Sequence, residues 1–179
     1  MDNETGSAER SRNLQAPWRM PYLESLGHQD RCFLCHYRDE PRSDEANFVL
    51  WRGASTLVLL NRFPYTSGHL LIAPYAHVPA LADLDEPTLM AVTRLLRDTP
   101  PILTKALGAQ GFNIGLNLGR CAGAGLPDHL HLHVVPRWEG DTSFMTVLGD
   151  VRTLPIAFDE VYARVRKAGE ALGLPDLTV

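Results

Sequence analysis

The sequence predicts an α+β domain, a mainly antiparallel sheet of about five strands with helices on one face. Three observations carry this. Short apolar or alternating stretches bounded by Gly, Pro or turn residues recur along the middle of the chain, as strands do. Most connections between successive strands are too short for a parallel crossover, so neighbours pair antiparallel. Two longer stretches repeat apolar residues at helical spacing and need a sheet to bury that stripe.

Residues 1–13 are polar with few apolar groups and are expected to be a disordered tail, leaving 14–179 as a single domain. The segment from Gln15 to Leu26, with two prolines, Trp18 and Tyr22, is expected to lie extended on the domain with its aromatics buried. The charged run from Asp39 to Asn47 contains Pro41 and reads as a loop. Phe48 to Trp51 and Thr56 to Asn61 read as two strands around the turn Arg52–Gly53–Ala54. Gly68 to Pro74 is a third strand, bounded by Gly and Pro. Leu84 to Leu107 is the longest helical stretch, with Asp85 as its cap, Pro87 in its first turn, and Leu89, Val92, Leu95 and Leu96 in phase. Pro100 and Pro101 are expected to break or kink it, leaving Ile102 to Leu107 as a second short segment. Gly111 to Asn117 alternates as a strand, Arg120 to Pro127 is a Gly-containing loop, and His129 to Val135 is a strand stopped by Pro136. Phe158 to Leu172 is a closing helix with Val161, Val165, Ala168 and Leu172 on one stripe.

Composition narrows the function classes. Hydrophobic residues are 45% of the 179 and charged residues 21%, enough for a real core. The formal net charge of −4 argues against a non-specific nucleic-acid binder. No apolar run is long enough to cross a bilayer, and the polar, acidic start MDNETGSAER is unlike a signal peptide, so a cytoplasmic protein with no membrane partner is expected. Three cysteines do not form a disulfide framework in a chain of this size. Cys32 and Cys35 form a C-x-x-C pair that reads as a metal half-site, a redox pair or two buried small residues.

The most informative segment is GAGLPDHLHLHVVPRW, Gly123 to Trp138. His129, His131 and His133 alternate with Leu130 and Leu132, so in a strand the three imidazoles share one face. Two chemistries compete for this pattern. Three imidazoles can bind a catalytic metal. Alternatively one imidazole, nucleophilic near neutral pH, attacks phosphorus while its neighbours tune it. The Gly-bearing turn just upstream suits the second, because its backbone N–H groups can cradle phosphate oxygens.

His129-Leu130-His131-Leu132-His133-Val134-Val135 resembles the signature of the histidine-triad (HIT) family, His-φ-His-φ-His-φ-φ, at every position. Asn61 to Pro74, NRFPYTSGHLLIAP, is similar to the family's Asn-x-x-Pro-x-x-x-Gly-His segment, and Gly111 to Gly119 to its second Asn-bearing strand. The resemblance covers roughly residues 14 to 172 and is greatest to the actinobacterial branch of diadenosine tetraphosphate phosphorylases. It implies a HIT-like fold and nucleotidyl transfer to and from a histidine. It also implies an adenine nucleotide or dinucleoside polyphosphate as substrate, inorganic phosphate as acceptor, and a homodimer with sheets joined edge to edge.

Carried over position by position, the resemblance makes His131 the nucleophile on the α-phosphorus, with a backbone carbonyl holding its tautomer. His133 would contact the phosphate, His69 would be the family's fourth histidine, and Asn117 would sit near the scissile phosphate, with Asn113 a weaker candidate on the same face. Asn61 would hold the ribose hydroxyls, or else serve only as a turn residue before Pro64. Many members carry a Gln-Ser or Gln-Thr pair where this chain has Gly125 and Leu126, so backbone N–H groups of Ala124 and Gly125 would stand in for the missing hydroxyl. Trp138 would stack on a purine or plug the core, and Arg137 would meet distal phosphates or lie solvated. Some bacterial members hold a structural zinc, which here implies Cys32, Cys35, His77 and His129 as ligands, with His28 and His36 close enough to compete. A redox role for the C-x-x-C pair is disfavoured because no helix start is expected beside it. The rival enzyme is a zinc hydrolase with the triad as ligands, and the non-enzyme rival is a nucleotide-binding module.

Overall fold

The structure is a computed structural model, described here for residues 32–142 and 154–177. The expectations for residues 1–13 and for Gln15 to Leu26 lie outside the described residues. Five strands form one antiparallel sheet: β1 (Val49–Arg52), β2 (Thr56–Leu60), β3 (Leu70–Pro74), β4 (Gly111–Leu116) and β5 (Leu132–Arg137), in the order β1-β2-β3-β5-β4. Among the described residues three α-helices accompany it: α1 (Phe33–Asp39), α2 (Glu86–Leu107) and α3 (Phe158–Leu172).

Strand alternation sorts the sheet into two faces. Val58, Leu60, Leu70, Ile72, Leu132 and Val134 point to one side and meet Val92, Leu95, Ile102 and Leu103 of α2 and Val161, Val165 and Ala168 of α3. Each of the fully buried large residues contributes on the order of 1.5–3 kcal/mol by leaving water. On the other side Val49, Leu57, Leu59, Leu71 and Ala73 meet Leu34 and Tyr37 of α1. His133 is paired with Leu71, so it lies on this second side, opposite the long helices. The two long helices thus share one face as expected, while the short α1, which the sequence reading missed, covers part of the other.

Three expectations are corrected. α2 runs unbroken through Pro100 and Pro101. The prolines remove backbone donors, but Ile102 and Leu103 beyond them are completely buried, and that packing holds the last turns in line. β5 begins at Leu132, later than His129, and continues through Pro136. Proline is tolerated there because β3 pairs no further than Val134, so the side of Pro136 without an N–H faces no ladder, and its carbonyl instead accepts the Thr66 hydroxyl at 2.9 Å. Leu89 and Leu172, placed on the buried stripes by phase, are 38% and 39% exposed at the helix margins. The expected cap is present: Asp85 accepts the Thr88 N–H at 2.9 Å.

Gly68 precedes His69 with φ +81°, and a Cβ there would sit 2.4 Å from Leu107 Cδ1. Gly68→Ala is therefore expected to destabilise the fold by about 1–3 kcal/mol. Chemical denaturation should show this as a lower midpoint with unchanged slope.

Candidate active site and metal group

The loop from Asn61 to His69 is built first. Asn61 Oδ1 accepts the Phe63 N–H at 3.0 Å, and the Asn61 N–H donates to the His69 carbonyl at 2.8 Å, closing the turn between β2 and β3. The Tyr65 N–H donates to His69 Nδ1 at 3.1 Å, and the Asn61 amide lies 3.3 Å from the same nitrogen. His69 Nδ1 is therefore an acceptor and its proton sits on Nε2. That N–H donates to His133 Nδ1 at 2.9 Å, which in turn places the His133 proton on Nε2, 3.5 Å from the Asn117 amide. Tyr65 stacks beside both rings, 4.7 Å from His69 and 6.0 Å from His133 between centroids. Sequence reasoning missed Tyr65. The signal available was an aromatic residue directly after Pro64, four positions before His69.

His131 is buried beside His133, with ring centroids 5.1 Å apart and the rings edge to face. Its Nδ1–H donates to the His129 carbonyl at 2.9 Å, so Nε2 carries the lone pair. Burial holds its pKa below the ordinary histidine value of 6.5, with the carbonyl bond opposing the shift, so it is neutral at neutral pH. The structure thus brings His69, His131, His133, Asn61 and Asn117 into one contiguous network.

The triad does not converge on one point. His129 turns the other way: its Nε2–H donates to the Pro74 carbonyl at 2.9 Å, leaving Nδ1 bare, 3.2 Å from Cys32 Sγ and 3.5 Å from Cys35 Sγ. His77 Nδ1 lies 3.2 Å from Cys35 Sγ. The ligand atoms of Cys32, Cys35, His77 and His129 all lie within 4.8 Å of one another, a Cys₂His₂ group able to hold a metal ion. The Pro74 carbonyl supplies the outer partner that a ligating imidazole usually has. His36 is exposed and outside the group, and His28 lies outside the described residues.

α1 delivers the cysteines. Cys32 is its N-cap, so a helix does start beside the C-x-x-C pair, contrary to expectation. A helix start ordinarily lowers a thiol pKa, but burial pushes Cys32 up to about 11, which disfavours a reactive thiolate without a cation. The helix is fastened at its C-terminal end, where Arg52 donates to the Tyr37 and Arg38 carbonyls while paired with Asp44, and Arg38 donates to the Tyr75 carbonyl at 2.9 Å. Leu126, where relatives were expected to have a polar side chain, packs against this same apolar cluster.

Other expected residues have the following partners. The Trp138 Nε1–H donates to the Leu107 carbonyl at 3.2 Å, which anchors the indole at the end of α2. Arg137 is held by Asp141 and by Asn113 Oδ1, so Asn113 turns to Arg137. The Ala124 N–H donates to the Gly119 carbonyl at 3.3 Å and so braces its own loop. That loop turns at Gly119, whose φ of +80° with ψ of 163° is open essentially to glycine alone.

Burial drives His69 down to about pKa 3, helped by the positive potential of His133 and His131. The unfolded chain would bind that proton near pH 6.5 and the folded chain only near pH 3, so acidification between them favours unfolding. Stability should therefore fall as pH drops below 6.5. In a folded His69→Gln variant the slope of stability against pH should shrink by up to one proton, about 1.4 kcal/mol per pH unit, as read by denaturation at stepped pH.

A family model described as "HIT domain" matches residues 42–140. A Mycobacterium tuberculosis AP-4-A phosphorylase is 35% identical over 160 residues, spanning 86% of this chain and 82% of that protein. An asymmetrical bis(5'-nucleosyl)-tetraphosphatase of Schizosaccharomyces pombe is 33% identical over 95 residues, 53% of this chain and 52% of its own length. Among solved structures, a Zn-bound histidine triad family protein from Mycobacterium smegmatis aligns with a TM-score of 0.65 at 28% identity, covering 79% of this chain and 95% of that one. With the fold, the intact triad and these likenesses together, the chain belongs to the HIT domain family and is a nucleotide-processing enzyme of it.

Proposed function

We propose that this enzyme cleaves diadenosine tetraphosphate by phosphorolysis to ATP and ADP through a nucleotidyl-histidine at His131. The observation that carries the reading is the His131 tautomer: Nδ1–H is fixed on the His129 carbonyl, which leaves Nε2 as the nucleophile. The likeness to the M. tuberculosis AP-4-A phosphorylase supports the substrate.

His131 Nε2 attacks the α-phosphorus, the bond from phosphorus to the bridging oxygen breaks, and ATP leaves. AMP is then held on Nε2, while the Nδ1–H still bonded to the His129 carbonyl stabilises the imidazolium. His133 offers its Nε2–H to a phosphoryl oxygen, in a tautomer dictated by His69. Asn117 lies on the same side, and Gly125 would supply the backbone donor of the loop. Asn61 would hold the ribose diol with the hydrogen-bonding capacity left beyond its turn. Trp138 keeps the reading of a base-stacking residue for a bound substrate, although its indole is anchored on α2. An oxygen of inorganic phosphate then attacks phosphorus, the N–P bond breaks and ADP departs. Water in its place would give AMP.

The metal group is read as structural zinc held by Cys32, Cys35, His77 and His129. Four protein ligands leave no open position, so zinc there supplies a cross-link rather than a Lewis acid. A homodimer is proposed through β4, which stands at the end of the sheet and carries Ile114 at 45% exposure. Among the described residues no helix is long and apolar enough to cross a membrane, and free cysteines suit the proposed cytoplasmic location.

Product analysis with and without inorganic phosphate tests this reading. ATP plus ADP only in the presence of phosphate is expected. ATP plus AMP in both buffers would make the enzyme an asymmetric hydrolase, and no turnover would remove the substrate.

A further inference from the structure

We propose that Tyr65 is a positioning residue for His133: its ring, laid over the His69 and His133 imidazoles, keeps the His133 Nε2–H aimed at the phosphoryl group. The inference rests on the reading of His133 as the donor to that group. Tyr65 stands in the loop between β2 and β3 and is half-buried. Its ring centroid lies 4.7 Å from that of His69, with 31° between the planes, and 6.0 Å from that of His133, with 27° between them. Both contacts fall in the range where offset rings attract. The backbone builds this placement in. The Tyr65 N–H donates to His69 Nδ1 at 3.1 Å, the Thr66 hydroxyl donates to the Pro136 carbonyl at 2.9 Å, and the His69 N–H donates to the Thr66 carbonyl at 3.2 Å. The chain is therefore tied on both sides of the Tyr65 side chain.

The surroundings of His133 give the ring its consequence. Across the sheet His133 is paired with Leu71 on β3 and with Gly115 on β4. Among the described residues a Cβ at Gly115 would meet nothing within 4 Å, so the β4 side has the room that a phosphoryl group needs. The hold on the imidazole comes from its other flanks: the His69 Nε2–H on Nδ1 at 2.9 Å, the edge of His131 at 5.1 Å between centroids, and the face of Tyr65. A hydrogen bond fixes one atom of a ring and leaves its plane free to turn about that bond. Such a turn would swing Nε2 away from the phosphoryl oxygens, and the parallel face of Tyr65 blocks it. As the N–H meets developing negative charge the imidazole gains positive character, which the π-face of a phenol ring also favours. A displaced donor costs rate even when every group is still present.

The test pairs kinetics with spectra on the full chain. Tyr65→Phe keeps the ring, Tyr65→Leu and Tyr65→Met keep bulk without it, and all three keep the backbone N–H. With diadenosine tetraphosphate and phosphate, Tyr65→Phe is expected within about threefold of the unaltered kcat. The leucine and methionine variants are expected to lose about 10–100-fold in kcat, with KM moved by less than about threefold. In these two variants the ring-proton signals of His69 and His133 should also lose the shielding that the Tyr65 face imposes, without any substrate present. Because Tyr65 acts through His133, Tyr65→Leu should cost less than about threefold more in the His133→Ala background. An unchanged kcat in both non-aromatic variants, a Tyr65→Phe loss as large as the leucine loss, or a full further loss in the His133→Ala background would each overturn the inference. So would collapse of the fold in both non-aromatic variants, since the ring would then be part of the core. If the unaltered enzyme leaves diadenosine tetraphosphate intact, the substrate reading fails alone. The same comparison is then made with adenosine 5′-phosphoramidate, whose cleavage would place the same adenylate on His131.

Discussion

Replacing His131 by alanine is expected to lower kcat for diadenosine tetraphosphate by about 10⁴-fold or more, because the group that forms the covalent bond is gone. KM should move little, since Asn61, the proposed partner of the ribose diol, is left in place. The fold should survive. Among the described residues the imidazole makes one hydrogen bond, to the His129 carbonyl, and the strand that follows is anchored by Leu132 and Val134. His133→Ala should cost less, about 10²–10³-fold, the usual loss for one donor to developing charge. Steady-state kinetics on the two variants separates the roles. Equal losses would mean that the two imidazoles act as one unit, as ligands of a single catalytic centre would. The structure argues against that, since His129 faces the cysteines while His133 faces His69.

The second large effect is on stability. Changing Cys32 and Cys35 together to serine should abolish zinc binding. If the metal is present at a thousandfold its Kd, the lost linkage is about 4 kcal/mol. In a chain of this size that corresponds to roughly 10 °C in Tm. Metal analysis and thermal denaturation check both halves, and chelation of the unaltered protein should reproduce the shift. Unchanged Tm on chelation would return Cys32 and Cys35 to the status of partly buried thiols, Cys32 packed against the Leu34 and Tyr37 cluster.

The residues that proved legible in the sequence are those whose chemistry repeats at a fixed interval. The five strands and both long helices follow from periodicity and turn residues, and Asp85 caps α2 as read. The His-x-His-x-His spacing located the network. Its division did not follow from alternation, because His129 and His131 sit before β5 and their rings are aimed by local carbonyls. α1 escaped notice because seven residues that follow Cys32, include Cys35 and run into a charged loop give too short a window for a 3.6 period. The unbroken course of α2 through Pro100 and Pro101 is a tertiary effect, set by Ile102 and Leu103, which no local rule contains. The Tyr65 N–H on His69 and the Arg52 bonds to the carbonyls that end α1 use backbone groups, and backbone partners have no signature in a sequence.

The central claim is the covalent histidine. The most direct measurement is to mix the enzyme with diadenosine tetraphosphate without phosphate, quench in base within the first turnovers, and map the adduct by peptide mass spectrometry. Adenylate is expected on the peptide containing His131, absent from His131→Ala and discharged as ADP when phosphate is added before the quench. Turnover without an adduct at any time, or an adduct on a different residue, would contradict it.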